Sequence, residues 1–554
     1  DKWARKKPGA DKMNDTVEIY KRLVGNFDFI RAKTIRVVDG NFTMINQIRK
    51  QVLAVQGINI DIDDFLVDSV HDYRNVLSYF IKQTRATINK VSGSQVQTGK
   101  IVYDSKLQIL DVQNLSVSGK QPLSIKSVFT RGLSTDAFIK YGKVHARSLL
   151  LSSPVATFRP GNSKKGVGSP AIPEFALDSL ILQKGNFNIY TKQNKLIPVK
   201  DVQLLLKNIK TVNGKFPIEK YLNPAVCAFS IGSVNLPMKS HSVLLQNIGY
   251  PNNADRVRIG LVRIKPTITR QQLKMGKQMD LFTMTANNIN IDKFDMKKMV
   301  KDNTISIQDI SLEMAIHIFE DKTIPIDSVK KGRSLFPYDG IRTSKTAIDI
   351  RSVNIRKSKI SYEEEAAKSG MNGTIFFSDL NGSLTNITNV PGQLARDNTM
   401  KLDVTAKLMG VAALKTNWQM LLNASDGRFK VGGSTAPFPV TVLDKPFEAL
   451  SMTSIRSGFV DKLDFEINGD RVGSTGNVLL NYHDLKIDLL KKNKEDSLEK
   501  KGFISFIANA DVRNNHQTNK PKDFRYTKDR YKSFFNLLWK SVFEGAKNTI
   551  LIVK

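Results

Sequence analysis

At 554 residues, with 41% hydrophobic and 25% charged side chains, the chain is ordinary for a folded protein, and long enough for several domains or one large β architecture grown by repetition. Its 84 Lys and Arg against 52 Asp and Glu give a formal net charge of +32, which calls for an anionic partner or surface. The single cysteine, Cys227, excludes an internal disulfide and any cysteine-built metal cluster, and there is no run of ~18 apolar residues to span a membrane as a helix.

Residues 1–26 open with the polar stretch DKWARKKPGADKMND, which reads as the juxtamembrane end of a removed signal or anchor. Phe27 to Ile45 then places apolar residues at Ile35, Val37, Phe42 and Met44 around Gly40, the pattern of two short strands about a glycine turn. The same frame recurs at Leu180, Leu182, Gly185, Phe187 and Ile189. It appears again from Val353 to Tyr362, with Ser358 in place of the glycine. Uneven spacing makes these a drifting series of hairpins and not a strict solenoid.

The first β region, 27–160, is interrupted at 63–88. There Leu66, Val70, Tyr73, Leu77, Phe80, Thr84 and Ile88 fall at helical spacing behind Asp63 and Asp64, predicting an amphipathic helix packed on the sheet. Pro160 to Pro173, PGNSKKGVGSPAIP, is the clearest loop, and a second β region runs over 174–321 with a short helical turn at Phe294 to Met299. A polar lapse from Lys322 to Arg342 precedes a third β region, 345–510. Its end is the most regular stretch of the chain: Leu463, Phe465 and Ile467, an Asn468-Gly469-Asp470 turn, then Val478, Leu480 and Tyr482. After Tyr482 the phase slips to Leu485, Ile487 and Leu489, which predicts a bulge or bend at His483-Asp484. From 531 to 553 a helical pattern puts Phe534, Phe535, Leu538, Trp539, Val542 and Phe543 on one face among lysines. That face suits a membrane surface, a partner's groove or the open end of the sheet.

No constellation for catalysis stands out, so neither enzyme activity nor a cofactor or metal is expected. The six histidines are scattered, with no i, i+4 pair. Tyr482-His483-Asp484 reads as a bend and not an acid/base pair, because adjacent strand residues point to opposite faces. Glu363-Glu364-Glu365 reads as a solvated run, and N-x-[ST] triplets such as Asn41-Phe42-Thr43 and Asn386-Ile387-Thr388 occur by chance. Basic residues are spread over the polar sides of strands beside no nucleic-acid motif, so nucleic acid is not the expected partner.

The terminal hairpin, G-x-x-G-x-V-L-L-N-Y-x-D-L-K-I-D-L-L, carried by Gly473, Gly476, Leu480, Tyr482, Asp484, Leu485, Lys486 and Ile487 with the frames at Ile35, Leu180 and Val353 upstream, resembles the AsmA-like proteins of Gram-negative bacteria. Those are similar to the bridge-like lipid transfer proteins. The resemblance implies a mainly β fold, a long curved and largely antiparallel sheet enclosing a hydrophobic groove, with the helix near 63–88 and the C-terminal amphipathic helix added to it. It further implies an N-terminal inner-membrane helix ahead of Asp1, a periplasmic location and a role in phospholipid transport and outer-membrane homeostasis. On that reading Phe465, Ile467, Val478, Leu480, Tyr482, Leu485 and Ile487 are candidate lipid-lining residues. Very roughly 25 strands at ~4.8 Å would make a sheet on the order of 100 Å long, more than one compact core covers. The rival reading is a non-enzymatic envelope scaffold that binds protein partners or anionic polymer through its basic surface.

Overall fold

In a computed structural model of the chain the described residues are 29–46, 51–68, 83–135, 137, 143–160, 174–211, 216–238, 240–251, 255–275, 280–324, 336–492, 498–500, 510–529 and 532–553. The fold is mainly β, with one long, mixed, largely antiparallel sheet. The chain divides into two compact units, residues 1–236 with 249–254 and residues 237–248 with 255–554.

The first unit's series is β1 (Phe29–Ile45), β2 (Gln51–Asp68), β3 (Thr84–Gly93), β4 (Val96–Thr98), β5 (Ile101–Asp104), β6 (Ile109–Val117), β7 (Leu123–Arg131), β8 (Val144–Ser152), β9 (Val155–Phe158), β10 (Phe175–Tyr190), β11 (Leu196–Lys210) and β12 (Cys227–Pro237). The second unit's series is β13 (His241–Tyr250), β14 (Arg256–Pro266), β15 (Leu281–Asp292), β16 (Thr304–Asp321), β17 (Ala347–Glu365), β18 (Asn372–Thr388), β19 (Thr399–Leu408), β20 (Ala412–Leu421), β21 (Phe429–Thr435), β22 (Phe438–Pro439), β23 (Thr453–Gly469) and β24 (Gly473–Lys492). The short strands β25 (Leu498–Lys500), β26 (Ala510–Val512), β27 (Lys522–Thr527) and β28 (Leu551–Val553) follow. Among the described pairings, strands run antiparallel except where β10 lies beside β8 and β9 and where β17 lies beside β16. These two parallel joints follow the two polar lapses in the sequence, since a parallel neighbour needs a long connection where a hairpin needs only a turn.

The repeated glycine frame is not a turn between two strands. β1, β10 and β17 each run straight through it, and their registers shift at Gly40, Gly185 and Ser358. Each shift is a β-bulge whose preceding residue, Asp39, Lys184 or Lys357, has φ of 51°, 53° or 44°. Asparagine clamps the bulges. Asn41 Nδ2 donates to the Asp39 carbonyl while Asn41 Oδ1 accepts from Gly57 N–H, and Asn59 returns the same pair of bonds to Gly57 and Asp39. Asn186, Asn290 and Asn381 likewise donate to the carbonyl two residues back. Asn41 and Asn386 thus spend their amides on the backbone, Asn386 on the Asp397 and Thr399 carbonyls.

The helix expected at 63–88 is replaced at both ends. Asp63–Asp68 completes β2, paired against Phe29–Thr34 of β1, and Thr84–Ile88 begins β3; residues 69–82 lie outside those described. Asp64 has φ 48°, and the β1–β2 register runs unbroken on either side of it. The hairpin at Asn468-Gly469-Asp470 stands as expected, and so does the phase slip: Asp484 has φ 57° and the β23–β24 register shifts around it.

The α-helices with described bounds lie in the second unit: α1 (Arg270–Lys274), α2 (Met296–Asp302), α3 (Asp339–Arg342), α4 (Pro391–Leu394), α5 (Asp444–Ser451) and α6 (Phe534–Ile550). The turn expected at 294–299 is α2, which starts two residues later, behind its Asp295 cap. α6 ends at Ile550, and Leu551–Val553 pairs with β26, so the helical pattern read to 553 stops three residues early. The largest core packs α6 and α5 on β20 to β24, with Phe534 against Phe336, Phe429 and Trp418 at ring distances of 4.8, 5.0 and 5.9 Å. Arg471, just past the hairpin turn, forms a two-pronged ion pair with buried Asp339, and Tyr338 Oη donates to the Gly427 carbonyl at 2.5 Å.

Candidate functional site

The seven residues expected to line a groove belong to the core that α6 also enters. Ile467, Val478, Leu480, Tyr482 and Leu485 are buried, and Phe465 and Ile487 pack against the same core. The alternation that suggested a lipid-facing wall is satisfied here by protein, because a sheet face reads the same under a helix as under a ligand. Their assignment as groove lining gives way to core.

The helix docks through a stripe that sequence periodicity missed. Ser533 Oγ caps its N-terminus by accepting from Asn536 N–H at 3.1 Å, and Phe534, Leu537, Ser541, Gly545 and Thr549 are the buried positions. Ser541 meets Ser474 of β24 at 2.7 Å, and Gly545 lets the helix backbone approach Val478. Small residues carry no apolar signal, hence the oversight. Of the six residues assigned to a membrane or partner face, Phe534, Leu538 and Val542 point into this core, while Trp539 meets Phe543 and the edge of Phe447 of α5 at 5.8 Å each. Phe535 is 45% exposed. No described helix is long and apolar enough to cross a membrane.

A different apolar surface emerges from the register of the first unit. Following direct partners from strand to strand joins Ile58 of β2, Ile88 of β3, Ile101 of β5, Val112 of β6, Val128 of β7, Leu151 of β8, Leu182 of β10, Leu204 of β11 and Phe229 of β12. Direct partners share a face, so nine consecutive apolar side chains form one line across the sheet. Every one of the nine is half-buried.

Two residues along, a second line runs beside the first: Ile60, Ala86, Tyr103, Leu110, Thr130, Leu149, Leu180, Leu206 and Cys227. Only Thr130 is polar. Positive-φ residues frame the band, as at Gly57 and Asp64 on β2, Gln108 and Asn114 about β6, and Asp201 and Asn208 on β11. Among the described elements of this unit, strands pack chiefly on their ladder neighbours. Tyr221, from the 3-10 turn Ile218–Tyr221, closes one end over Leu206, Ile209 and Cys227. Burial pushes the Cys227 thiol up, which keeps it protonated and inert.

The second unit, taken by itself, carries a shorter line of the same kind: Ile264, Met284, Ile316, Ile360, Phe377, Leu408 and Ala412. Its far end, at Leu408, packs against the core that α6 covers.

The carboxylate run at 363–365 is not solvated surface. Glu363 takes both prongs of Arg270 at 2.7 Å and meets His317 at 3.1 Å, and Glu365 pairs with Lys274 at 2.8 Å. Glu364 shares the Tyr362 hydroxyl with buried Glu320, which is paired with Lys322. The Arg270 hydrogen bonds hold Glu363 below the usual carboxylate range despite partial burial. The partners lie some 90 residues upstream and leave no local trace in the sequence. Among the described residues no three His, Cys, Asp or Glu side chains are grouped to hold a metal ion.

Two imidazoles at the terminal hairpin titrate oppositely. His483 Nδ1 lies 3.0 Å from Asp461, whose hydrogen bond and charge raise its pKa. His516 is shifted down by burial and then by Arg513 and Lys522. A raised histidine favours the fold below its unfolded pKa and loses that contribution as pH rises through the folded value. A depressed one favours the fold above its unfolded pKa and loses the contribution as pH falls. In an NMR titration the His483 midpoint is expected above ~6.5 and that of His516 below it, with Asp461→Asn returning His483 toward ~6.5 and leaving His516 in place. Coincident midpoints in the wild type would rule out the pairing.

No family model matches the chain, and no curated protein or solved structure matches it.

Proposed function

We propose that the chain binds lipid acyl chains along the half-buried apolar band of its first unit, as a non-enzymatic carrier or shield of lipid. The nine-strand line from Ile58 to Phe229 supports this best. Eight steps of ~4.8 Å make it about 38 Å long, more than twice the ~15 Å that one bilayer leaflet's chains occupy. Its dimensions are those of a track and not of a closed pocket. Each methylene withdrawn from water stabilises by ~0.8 kcal/mol, and association costs on the order of 4–15 kcal/mol, so a long stretch of acyl chain must lie on the band for tight binding.

The resemblance of the terminal hairpin to AsmA-like proteins supports the same function and suggests its setting: a periplasmic protein anchored in the inner membrane, moving phospholipid for outer-membrane homeostasis. The net charge of +32 suits work beside anionic headgroups. Here the lipid-facing role passes from the hairpin, where α6 fills the space, to β2–β12.

Leu151→Asp with Leu182→Asp places two carboxylates in the middle of the band. Lipid extracted from the purified double variant and weighed by mass spectrometry is expected to fall at least tenfold below wild type, with far-UV circular dichroism unchanged. Equal lipid in both proteins, at the level of a delipidated control, would end the acyl-chain reading and favour a scaffold acting through its basic surface.

A further inference from the structure

We infer that one end of the first unit's strands docks on an anionic lipid surface: the end at which β3 turns into β4, β6 into β7 and β10 into β11. This goes beyond the acyl-chain reading, from which it takes only the choice of lipid over protein as the occupant. The apolar face reaches that end. A Cβ built on Gly185 would stand 2.7 Å from Leu182 Cδ2 and 3.0 Å from Phe187 Cε2, so Leu182 and Phe187 point to one side across the bulge. Direct partners carry that side from Phe187 to Val199 in one direction and to Ala156, Leu123, Val117 and Val96 in the other. Two residues beyond Phe187, Ile189 pairs with Phe158, whose ring lies 6.1 Å from that of Phe187. At this tip Phe158 is 44% exposed and Ile189 39%, and Leu196, paired with Tyr190 on the reverse face, is 40% exposed.

The two ends of these strands differ in charge as well. The described residues 93–96, 118–122, 158–160 and 191–196, at the docking end, include Lys120, Arg159, Lys192 and Lys195 and no Asp or Glu. Among the described residues none of these four cations forms an ion pair. Arg159 instead lies over the Tyr190 ring at 3.8 Å and donates to Asn194. At the far end of the strands the carboxylates Asp63, Asp104 and Glu174 stand already engaged, by Lys106, Arg85 and Lys143. There Tyr221, with Phe216 stacked on it at 5.0 Å, closes over the apolar face. Exposed apolar side chains beside unpaired cations match the layer where phosphate headgroups meet acyl chains. The apolar groups enter it, and the ammonium and guanidinium groups stay at the phosphates. Continuity decides for lipid: one apolar face leads from Phe158 and Ile189 through Phe187 to Leu182 and the band, so docking sets the end of the band at the acyl-chain layer.

The test floats the full-length chain with vesicles of phosphatidylcholine alone and with vesicles that also contain phosphatidylglycerol. Wild type is expected to bind the anionic vesicles about tenfold more tightly, with the advantage shrinking in high salt. Each cation at such a surface strengthens binding by about fivefold, so Lys120→Gln, Arg159→Gln, Lys192→Gln and Lys195→Gln together should weaken anionic-vesicle binding by about a hundredfold or more. A charge-matched variant at the far end, Lys106→Gln, Lys143→Gln, Lys210→Gln and Lys220→Gln, should keep most of it. Phe158→Ser with Ile189→Ser should weaken binding to both kinds of vesicle. Equal loss in the two charge variants would overturn the proposal, by showing that net charge alone draws the chain to the surface. Wild type that floats with neither vesicle would overturn it outright and leave the tip to a protein partner. Wild type that floats as expected yet yields no extractable lipid would uphold the docking surface and remove the acyl-chain reading.

Discussion

Arg471→Ala is expected to lower stability by about 3–5 kcal/mol, the largest loss from any single truncation in the terminal hairpin. Asp339 is fully buried, and Arg471 holds both of its oxygens while also donating to the Ser425 carbonyl. Removing the guanidinium leaves a buried carboxylate with Arg342 and the Phe336 N–H, which cannot replace a two-pronged cation. Burial pushes the Asp339 carboxyl up, but the hydrogen bonds from Arg471, the Phe336 N–H and Arg342, with the Arg471 charge, together outweigh it and hold the group below the usual carboxylate range. A depressed carboxylate stabilises the fold above its unfolded pKa of ~3.9 and stops doing so as pH falls through the folded value. The gap between wild type and variant in urea unfolding is therefore expected to be full at neutral pH and to narrow below ~4. Arg471→Lys should lie between the two, keeping charge but losing one prong. A loss under 1 kcal/mol at neutral pH would show that the pair does not hold the 336–342 segment to the hairpin.

Gly545→Ala is expected to cost about 1–3 kcal/mol, although alanine is the better helix former. The new methyl would stand 2.3 Å from Val478 Cγ2 and 2.7 Å from its Cβ, and Val478 is completely buried. The helix must lift, and with it the Ser541–Ser474 contact that seats it. Val478→Ala in the same chain removes the closer contact, at Cγ2, and leaves the one at Cβ, so the double variant should lose less than the sum of the singles. Hydrogen exchange over 534–550 supplies the second readout: faster in Gly545→Ala, restored toward wild type in the double. Unchanged exchange in the single variant would mean that α6 is not held by this contact.

The strands were legible because one face of nearly every ladder is apolar, and the hairpin at Asn468-Gly469-Asp470 carried its own turn chemistry. The slip at His483-Asp484 was legible as a bulge, yet the same event at Gly40, Gly185 and Ser358 read as a turn. A bulge inserts one residue without reversing the chain, and a glycine between two apolar pairs fits either outcome. At Gly40 and Gly185, though not at Ser358, the distinguishing sign is an asparagine two places after a positive-φ residue, as also in Gly57-Ile58-Asn59 and Asp379-Leu380-Asn381. Spacing carries more: Gly57 and Asp64, Asp201 and Asn208, and Asp379 and Asn386 are each seven residues apart and bracket one apolar stretch of a strand.

The location of the candidate site was not legible. Amphipathic strands at the hairpin and in β2–β12 look alike one at a time, and only pairing register reveals which apolar faces line up over nine strands and which lie under a helix. Nor does a helix advertise docking through Ser541, Gly545 and Thr549, residues whose contribution is their small size. Long-range pairs such as Arg270 with Glu363 are invisible to any local reading.

The central claim is that acyl chains lie on the line through Val128, Leu151 and Leu182 and not on the floor beneath α6. Benzoylphenylalanine placed singly at those three positions and, for comparison, at Leu480 and Tyr482, followed by illumination in the presence of radiolabelled phospholipid, tests it most directly. Lipid adducts are expected at all three band positions and at neither hairpin position. Adducts at the hairpin alone, or at none of the five in protein that remains folded, would contradict the account.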